Sequence, residues 1–234
     1  MVHDCKLRVD GITKYLDNQQ FEFDHSFGED SSTKEVYFYV GQPLVSYVVR
    51  GGRATCFAYG QTGSGKTHTM VGIQEMAVND LFEEMDHFSD LNDVEIFVSF
   101  YEIYGGRCQD LLNHRHRLVV REDGKGEVHI AGLQECCVTS GAQLLSLLAK
   151  GNQLRTTQAT ETNDTSSRSH AICQIVLRRA GSGKLHGKLS LVDLAGSERG
   201  QDTKSHNRQL RTESAEINKS LLALKECIRG LDLA

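Results

Sequence analysis

The feature that most constrains this 234-residue chain is a glycine-rich segment at residues 60–67. It reads Gly-Gln-Thr-Gly-Ser-Gly-Lys-Thr and matches G-x-x-x-x-G-K-[ST], the phosphate-binding loop of nucleotide triphosphatases. A short apolar segment at 54–59 precedes it and suits a buried strand, and a helical pattern opens at His68. Strand, glycine loop and helix form the context that the motif requires, so we predict a phosphate site rather than a glycine-rich turn.

The motif assigns chemistry to its own residues. The glycines let backbone N–H groups turn inward around phosphate oxygens, and the N-terminus of the following helix adds positive dipole. Lys66 is expected to reach the β- and γ-phosphates, and Thr67 to bind Mg²⁺. The residues predicted to hold the nucleotide are Gly60, Gln61, Thr62, Gly63, Ser64, Gly65, Lys66 and Thr67.

Composition favours a globular chain in a reducing, cytosolic setting. Hydrophobic residues make up 39% and charged residues 24% of the chain. No stretch approaches the ~18 apolar residues that span a bilayer, and the first residues show no signal-peptide pattern. Seven cysteines without a C-x-x-C pair argue against a disulfide scaffold or a zinc site. The net charge of −5 argues against a dominant nucleic-acid role, although a local basic patch can still bind an acidic polymer.

Hydrophobic periodicity predicts alternating strands and helices, and therefore a layered α/β domain. Strands are predicted at 21–23, 54–59, 95–104, 118–121, 128–130, 171–177 and 189–193. Helices are predicted over 36–49, from 73 to 85, over 140–151 and over 213–233. Gly181–Lys184 looks like half a phosphate loop, but it lacks the first glycine and Leu185 replaces Ser/Thr, so we predict a turn between two strands.

Two downstream segments add to the predicted site. An apolar strand ends in Asp193, and in phosphate-loop enzymes such an Asp holds the magnesium shell through water. An acid in a strand-end turn is the alternative interpretation of Asp193. Gly196 follows it and can offer its N–H to the γ-phosphate. Residues 163–170, Asn-Asp-Thr-Ser-Ser-Arg-Ser-His, gather hydroxyls that can complete a magnesium shell, although polar loops are common. Its arginine, Arg168, can pair with an acid such as Glu198 and so couple two loops.

Together these motifs resemble those of kinesin motor domains. Residues 60–70 look like the phosphate loop, residues 163–170 like switch I, and residues 191–199 (Leu-Val-Asp-Leu-Ala-Gly-Ser-Glu-Arg) like switch II. Residues 100–104 and 217–222 also resemble kinesin core segments, so the likeness spans nearly the whole chain.

The resemblance implies an α/β fold of the phosphate-loop NTPase class. We expect the kinesin motor fold, with a mixed, mostly parallel central sheet flanked by helices on both faces, in one partial domain over 1–234. The chain is shorter than a whole kinesin motor, so we expect the first and last core strands to be absent. That is consistent either with part of a longer molecule or with a truncated product. Residues 70–73 join two helical segments where kinesins carry a surface loop.

The resemblance also implies ATP and Mg²⁺ as ligands and assigns roles in the site. Its magnesium residues are Thr67, Ser167 and Asp193. Its catalytic residues are Ser166, which helps to place the attacking water, Gly196, the γ-phosphate sensor, and Arg168 with Glu198, the pair that closes the two switches. His68 matches a residue beside the adenine.

Two triplets narrow the resemblance to the internal-motor kinesins, the thirteenth family, which depolymerise microtubules. Residues 8–10 read Arg-Val-Asp where that family has Lys-Val-Asp at the tip of a finger, so the charge is kept but the head group differs. Residues 225–227 read Lys-Glu-Cys, as on its tubulin-facing helix. The alternatives are an ordinary loop and a solvated helix face.

Tubulin is the partner that the resemblance implies. The residues expected to contact it are Arg8, Val9, Asp10, Arg115, Arg117, Lys204, Arg208, Arg211, Lys225, Glu226 and Cys227. For the five basic residues between positions 115 and 211, a solvated mixed-charge surface is an equal alternative. We expect no nucleic-acid partner and no membrane, and a homodimer could form through segments outside this chain. The expected location is cytoplasmic, on spindle microtubules or at flagellar or ciliary microtubule ends.

Several functions fit these features. The first is a microtubule-stimulated ATPase that bends protofilaments and depolymerises microtubules. A translocating plus- or minus-end motor is the second, and a truncated fragment that binds tubulin without turnover is the third. A small-molecule or GTP-using phosphate-loop enzyme fits the two switch segments least well.

Overall fold

The computed structural model describes residues 1–88, 91, 93–156, 165–198 and 208–232. The chain forms two compact units, residues 1–32 and residues 33–234. The interpretation of the whole chain as one partial domain stays a prediction. Within the described residues, every helix is too short or too polar to cross a membrane.

The first unit contains an antiparallel hairpin of two strands, β1 (Val2–Leu7) and β2 (Lys14–Gln19). The pairing closes at the tip, where Leu7 lies opposite Lys14. The strand predicted at 21–23 is not formed, because the ladder ends at Gln19 and nothing pairs the residues that follow it within the described part of the chain.

The second unit is built on an eight-stranded sheet with the order β3-β10-β9-β4-β5-β6-β7, in which β8 also pairs with β4. Its strands are β3 (Arg53–Ala58), β4 (Val94–Tyr104), β5 (Arg107–Asp110), β6 (His116–Glu122), β7 (Val128–Ala131), β8 (Cys136–Val138), β9 (Ser169–Arg179) and β10 (Leu185–Asp193).

The sheet is mixed, as predicted, but the expectation that it is mostly parallel is wrong. Among the described strands only β3 and β10 run parallel, and every other pairing is antiparallel. The reason lies in the connections, because short turns join β4 to β5, β5 to β6, β6 to β7 and β9 to β10, whereas a parallel pair needs a long crossover. The predicted hairpin of β6 and β7 and the predicted turn at Gly181–Lys184 are confirmed.

Helices cover the sheet. In the described part they are α1 (Thr33–Val40), α2 (Gln42–Val49), α3 (Lys66–His87), α4 (Gly141–Thr156) and α5 (Arg208–Asp232), with a 3₁₀ turn at Thr165–Arg168. The helix predicted over 36–49 is divided at Gly41. Pro43 lies in the first turn of α2 and has no N–H to continue the bonds of α1, so a new helix begins there.

Helix α3 runs without interruption through residues 70–73, where two helical segments were expected to meet. Met70, Ile73 and Ala77 are buried on the same side of this helix and pack into the core. Their spacing of three and four residues keeps one apolar stripe in register, and this favours a single helix.

The alternation of side chains along the strands separates two faces of the sheet. One face, which includes Val98 of β4 and Ile175 of β9, packs against α1 to α4 in the main core. The opposite face carries a smaller cluster that includes Tyr101 and Ile172. Helix α5 lies on that side, where its residue Leu221 and Phe57 of β3 line a common cleft. Helices therefore flank both faces, as predicted.

We predict that Gly187→Ala destabilises the fold strongly. A Cβ atom at Gly187, on β10, would collide with the backbone carbonyl of Val48 near the end of α2, and backbone cannot rotate away as a side chain can. The expected loss in the free energy of unfolding is about 1–3 kcal/mol, measured by urea titration. Gly124→Ala is the matched control, because a Cβ there meets nothing within 4 Å. Equal midpoints for the two variants would contradict this packing.

Candidate functional site

The predicted phosphate loop lies between the end of β3 and the start of α3. Gly63 and Gly65 have φ angles of 80° and 85°, in the left-handed region that favours glycine, and Gly65 is the N-cap of α3. A cavity of about 250 Å³ opens over the loop. It is lined by Thr62, Gly63, Gly65, Lys66, Thr67, His68 and Ser167. The segments predicted to contact phosphate, metal and adenine therefore contribute to one cavity.

The parallel pairing of β3 and β10 brings Asp193 to this loop. Asp193 lies beside Ala58, at the end of β3 that leads into the loop. The hydroxyl of Thr67 donates to Asp193 Oδ2 at 2.6 Å. Two residues that were predicted from separate motifs, 126 positions apart, are thus in direct contact.

Arg155 is a buried partner of Asp193 that our sequence analysis missed. Its guanidinium donates to Asp193 Oδ2, and it also donates to the hydroxyl and the carbonyl oxygen of Ser169, at 3.2 Å and 2.9 Å. Arg155 is only 2% exposed. A sequence indication did exist, because Arg155 follows the buried Leu144 and Leu148 at helical spacing on α4 and so shares their inward face.

These residues fit a magnesium ion. The second carboxylate oxygen of Asp193, Oδ1, is buried and has no hydrogen-bond partner among the described residues. The Thr67 hydroxyl lies beside it, and Ser167 lines the same cavity. Hydroxyl and carboxylate oxygens are the ligands that Mg²⁺ prefers, with retained waters filling the other positions. Thr67 and Ser167 would hold the ion directly, and Asp193 through water.

The loop after β10 contacts both the phosphate loop and the 3₁₀ turn. Gly196 N donates to the carbonyl oxygen of Ser167 at 2.8 Å, and Ser197 N donates to the carbonyl oxygen of Gly60 at 3.0 Å. Switch I and switch II, as the resemblance defined them, therefore meet at a backbone hydrogen bond. The N–H group expected to sense the γ-phosphate is the group that forms it.

Glu198 rests on the phosphate loop rather than on Arg168. Its carboxylate accepts hydrogen bonds from Thr62 N at 2.9 Å and from Thr62 Oγ1 at 2.5 Å. Partial burial raises the pKa of Glu198, but these two bonds and the nearby Lys66 charge outweigh it and lower the pKa overall. Among the described residues Glu198 forms no ion pair with Arg168, and the role of that pair in closing the two switches stays a prediction.

A family model decides the family. The model of the kinesin motor domain matches residues 3–234. This chain belongs to the kinesin family. A relative from Cylindrotheca fusiformis, named diatom spindle kinesin-1, is 57% identical over 231 residues, which cover 98% of this chain and 36% of the relative. The chain thus spans about a third of that relative's length.

A solved structure of a fast kinesin confirms the fold. It superposes with a TM-score of 0.73 at 30% sequence identity, and the match covers 85% of this chain and 61% of the other. For that fast kinesin, the structure has implications for the ATPase mechanism and for interactions with microtubules. The kinesin motor fold predicted from the sequence motifs is thereby confirmed.

The hairpin of this kinesin presents the first predicted tubulin-binding triplet at its tip. The Asp10 carboxylate accepts hydrogen bonds from Ile12 N at 3.0 Å, Thr13 N at 2.9 Å and Thr13 Oγ1 at 2.5 Å. The hydrogen bond from the Thr13 hydroxyl, followed by those from the two amides, lowers the pKa of Asp10. Arg8 and Val9 are exposed. Asp10 therefore shapes the turn that presents its two neighbours.

The remaining predicted tubulin contacts that the structure describes differ in exposure to solvent. Lys225, Glu226 and Cys227 are exposed on α5, where Glu226 pairs with Arg229 at 3.1 Å. Arg117 is exposed on β6. Arg115 instead turns inward and pairs with the fully buried Glu102, so its guanidinium is not a surface charge and the prediction for it gains no support.

Some predicted residues lie outside the described residues. Lys204 is among them, and so are the side chains of Ser166, Arg208 and Arg211, whose backbones belong to the 3₁₀ turn and to α5. Their assigned roles stay predictions.

Proposed function

We propose that this kinesin hydrolyses ATP in the presence of Mg²⁺ and that microtubules stimulate the reaction. The observation that carries the proposal is the convergence of three distant segments on one cavity. Thr67 contacts Asp193, Glu198 contacts Thr62, and Gly196 contacts Ser167. A phosphate loop joined to two switch segments in this way is the arrangement of nucleotide-dependent switches.

The residues act by positioning and by charge. Lys66, whose ammonium now donates to the carbonyl oxygen of Gln61 at 2.8 Å, would turn to the β- and γ-phosphates. Mg²⁺, when it is bound, would neutralise part of the phosphate charge. The lowered pKa keeps Glu198 a carboxylate, which can orient a water molecule.

The Gly196 amide provides the switch. It has one proton, which it donates to the Ser167 carbonyl oxygen in this structure. A γ-phosphate oxygen would compete for the same proton. Nucleotide state would therefore control whether the loop after β10 is tied to the 3₁₀ turn, and hydrolysis would release the phosphate contact.

The finer proposal is that this kinesin releases tubulin from microtubule ends. The hairpin supports it, because the Asp10 carboxylate fixes a tight tip from which Val9 projects fully into solvent. The exposed triplet on α5 supports it as well. The name of the diatom relative supports spindle microtubules over flagellar or ciliary microtubule ends as the site of action.

The variant Asp10→Ala tests whether the hairpin tip contributes to tubulin release. We expect release of tubulin from stabilised microtubules in ATP to fall about tenfold, a change of about 1.4 kcal/mol in barrier, while ATP hydrolysis without microtubules stays unchanged. Soluble tubulin after sedimentation measures release. Asp17→Ala is the matched control, because it removes a carboxylate from the hairpin stem, where Asp17 pairs with Lys6 at 2.5 Å.

The same experiment separates the alternatives. If the wild-type protein releases no tubulin despite ATP binding, the depolymerase proposal is wrong. Sustained directional gliding of microtubules would instead show a translocating motor. Tubulin binding without ATP turnover would show a non-catalytic binding protein.

A further inference from the structure

His170 occupies a position that the proposed reaction does not yet use. It is the second residue of β9, the strand that directly follows the 3₁₀ turn, and is 7% exposed. Its Nδ1 lies 3.1 Å from the amide nitrogen of Ala195, in the loop after β10. Its Nε2 lies 2.7 Å from the hydroxyl of Ser220, on α5. The His170 imidazole therefore joins the loop after β10 to α5, the helix that carries Lys225, Glu226 and Cys227.

The donors and acceptors fix the tautomer of His170. The Ala195 amide can only donate, so Nδ1 must be the unprotonated nitrogen. The Ser220 hydroxyl donates to the carbonyl oxygen of Ile217 at 2.7 Å, so it accepts from Nε2–H. A neutral imidazole protonated at Nε2 is compatible with the Ala195 amide, the Ser220 hydroxyl and the Ile217 carbonyl oxygen. A second proton, on Nδ1, would face the N–H of Ala195 and break that hydrogen bond. Burial, and then the charge of Arg155, lower the pKa of His170, against an opposing effect of Asp193.

Ala195 connects this bridge to the nucleotide cavity. It lies between Asp193, which contacts Thr67, and Gly196, which contacts Ser167. Ala195 is itself fully buried. When the Gly196 amide changes partner, the buried Ala195 amide next to it has little room to move independently, and His170 is the side chain to which that amide donates.

We propose that His170 is a positioning residue that transmits the state of the loop after β10 to α5 through the Ser220 hydroxyl. This inference rests on the proposed function, because α5 is the element expected to contact tubulin. The bridge makes nucleotide state and microtubule binding interdependent, and linkage requires that the influence run in both directions.

Ser220→Val and Ser220→Thr form the matched pair that tests the bridge. The two side chains have nearly the same shape, but only threonine keeps the hydroxyl. A cavity of about 70 Å³ borders His170 and Ser220, so alanine would admit a water that could replace the hydroxyl, and valine is the better choice. Ser220 is outside the nucleotide cavity, so hydrolysis without microtubules should be unchanged in both variants.

The first readout is the ratio of ATP turnover with saturating microtubules to turnover without them, in the full-length protein. We expect Ser220→Thr to keep this ratio and Ser220→Val to lower it about 5-fold to 10-fold, as for loss of one coupling contact. Equal ratios in the two variants would overturn the proposal. A fall in both turnover rates in Ser220→Val alone would also overturn it, since that indicates a structural role.

The second readout is the nitrogen spectrum of ¹⁵N-labelled histidine, assigned with His170→Asn. We expect a neutral imidazole protonated at Nε2 in the wild type and in Ser220→Thr, with the Nε2 signal shifted in Ser220→Val. Identical His170 signals in all three proteins would overturn the bridge. If microtubules do not stimulate the wild-type protein, the proposed function fails, and this spectrum alone decides whether the bridge exists.

Discussion

Replacing Arg155 with methionine should lower the free energy of unfolding by about 3–5 kcal/mol, the usual result of removing one partner of a buried ion pair. Arg155 and Asp193 are both almost fully buried, and the guanidinium also satisfies the hydroxyl and carbonyl oxygen of Ser169. The variant leaves a carboxylate without its countercharge in the core. In a protein of this size the melting temperature should fall by about 10 °C at equal nucleotide concentration.

Two further variants show whether the charge is the cause. Arg178→Met removes an arginine from a partly exposed pair with Glu135, and should cost less than about 1 kcal/mol. Arg155→Met combined with Asp193→Asn removes both buried charges and should recover part of the loss. A single variant as stable as the wild type, or a double variant less stable than Arg155→Met, would contradict a buried ion pair at this position.

Gly196→Ala should slow ATP hydrolysis about 100-fold to 1,000-fold, the range for loss of one aligned donor in an active site. A Cβ atom at Gly196 would collide with the Thr62 hydroxyl and with the Glu198 carboxylate. Both are ends of side chains that can move aside, so the fold should survive. Their displacement separates Glu198 from the phosphate loop and misaligns the Gly196 amide.

Turnover at saturating ATP, without microtubules, measures this effect. Ser197→Ala is the control, because it keeps the backbone amide that donates to the Gly60 carbonyl oxygen and should leave turnover within about twofold. Wild-type turnover in Gly196→Ala would exclude a role for this amide and for the contact of Glu198 with Thr62. Equal losses in both variants would indicate general disruption of the loop.

The nucleotide loop could be predicted from sequence because its chemistry is local. The spacing of Gly60, Gly63, Gly65 and Lys66 follows from backbone geometry and phosphate binding, which distant residues change little. Asp193 was also predictable, because an acid at the end of an apolar strand favours the magnesium-shell role over a strand-end turn once the same chain contains a phosphate loop. The structure brings the two together through the parallel pairing of β3 and β10.

What the sequence left open depends on tertiary contacts. Arg155 was missed because a charged residue near a helix end is usually solvated; its helical spacing from Leu144 and Leu148 indicates an inward face but does not identify Asp193 as its partner. Both Thr62 and Arg168 are suitable partners for Glu198, and sequence spacing does not give the distances that decide between them. In the structure the Glu198 carboxylate accepts from Thr62. The mostly parallel sheet was expected from the family resemblance alone, whereas the strand directions follow from the short connections between β4, β5, β6 and β7 and between β9 and β10.

The most direct test of this account is ATP turnover by the full-length protein as microtubules are added at fixed MgATP. The account predicts slow turnover without microtubules and a rise that saturates with microtubule concentration. That result would show that the cavity around Thr67, Asp193 and Gly196 hydrolyses ATP and that a tubulin surface controls it. Turnover that is the same at every microtubule concentration, or MgATP binding with no turnover at all, would contradict it.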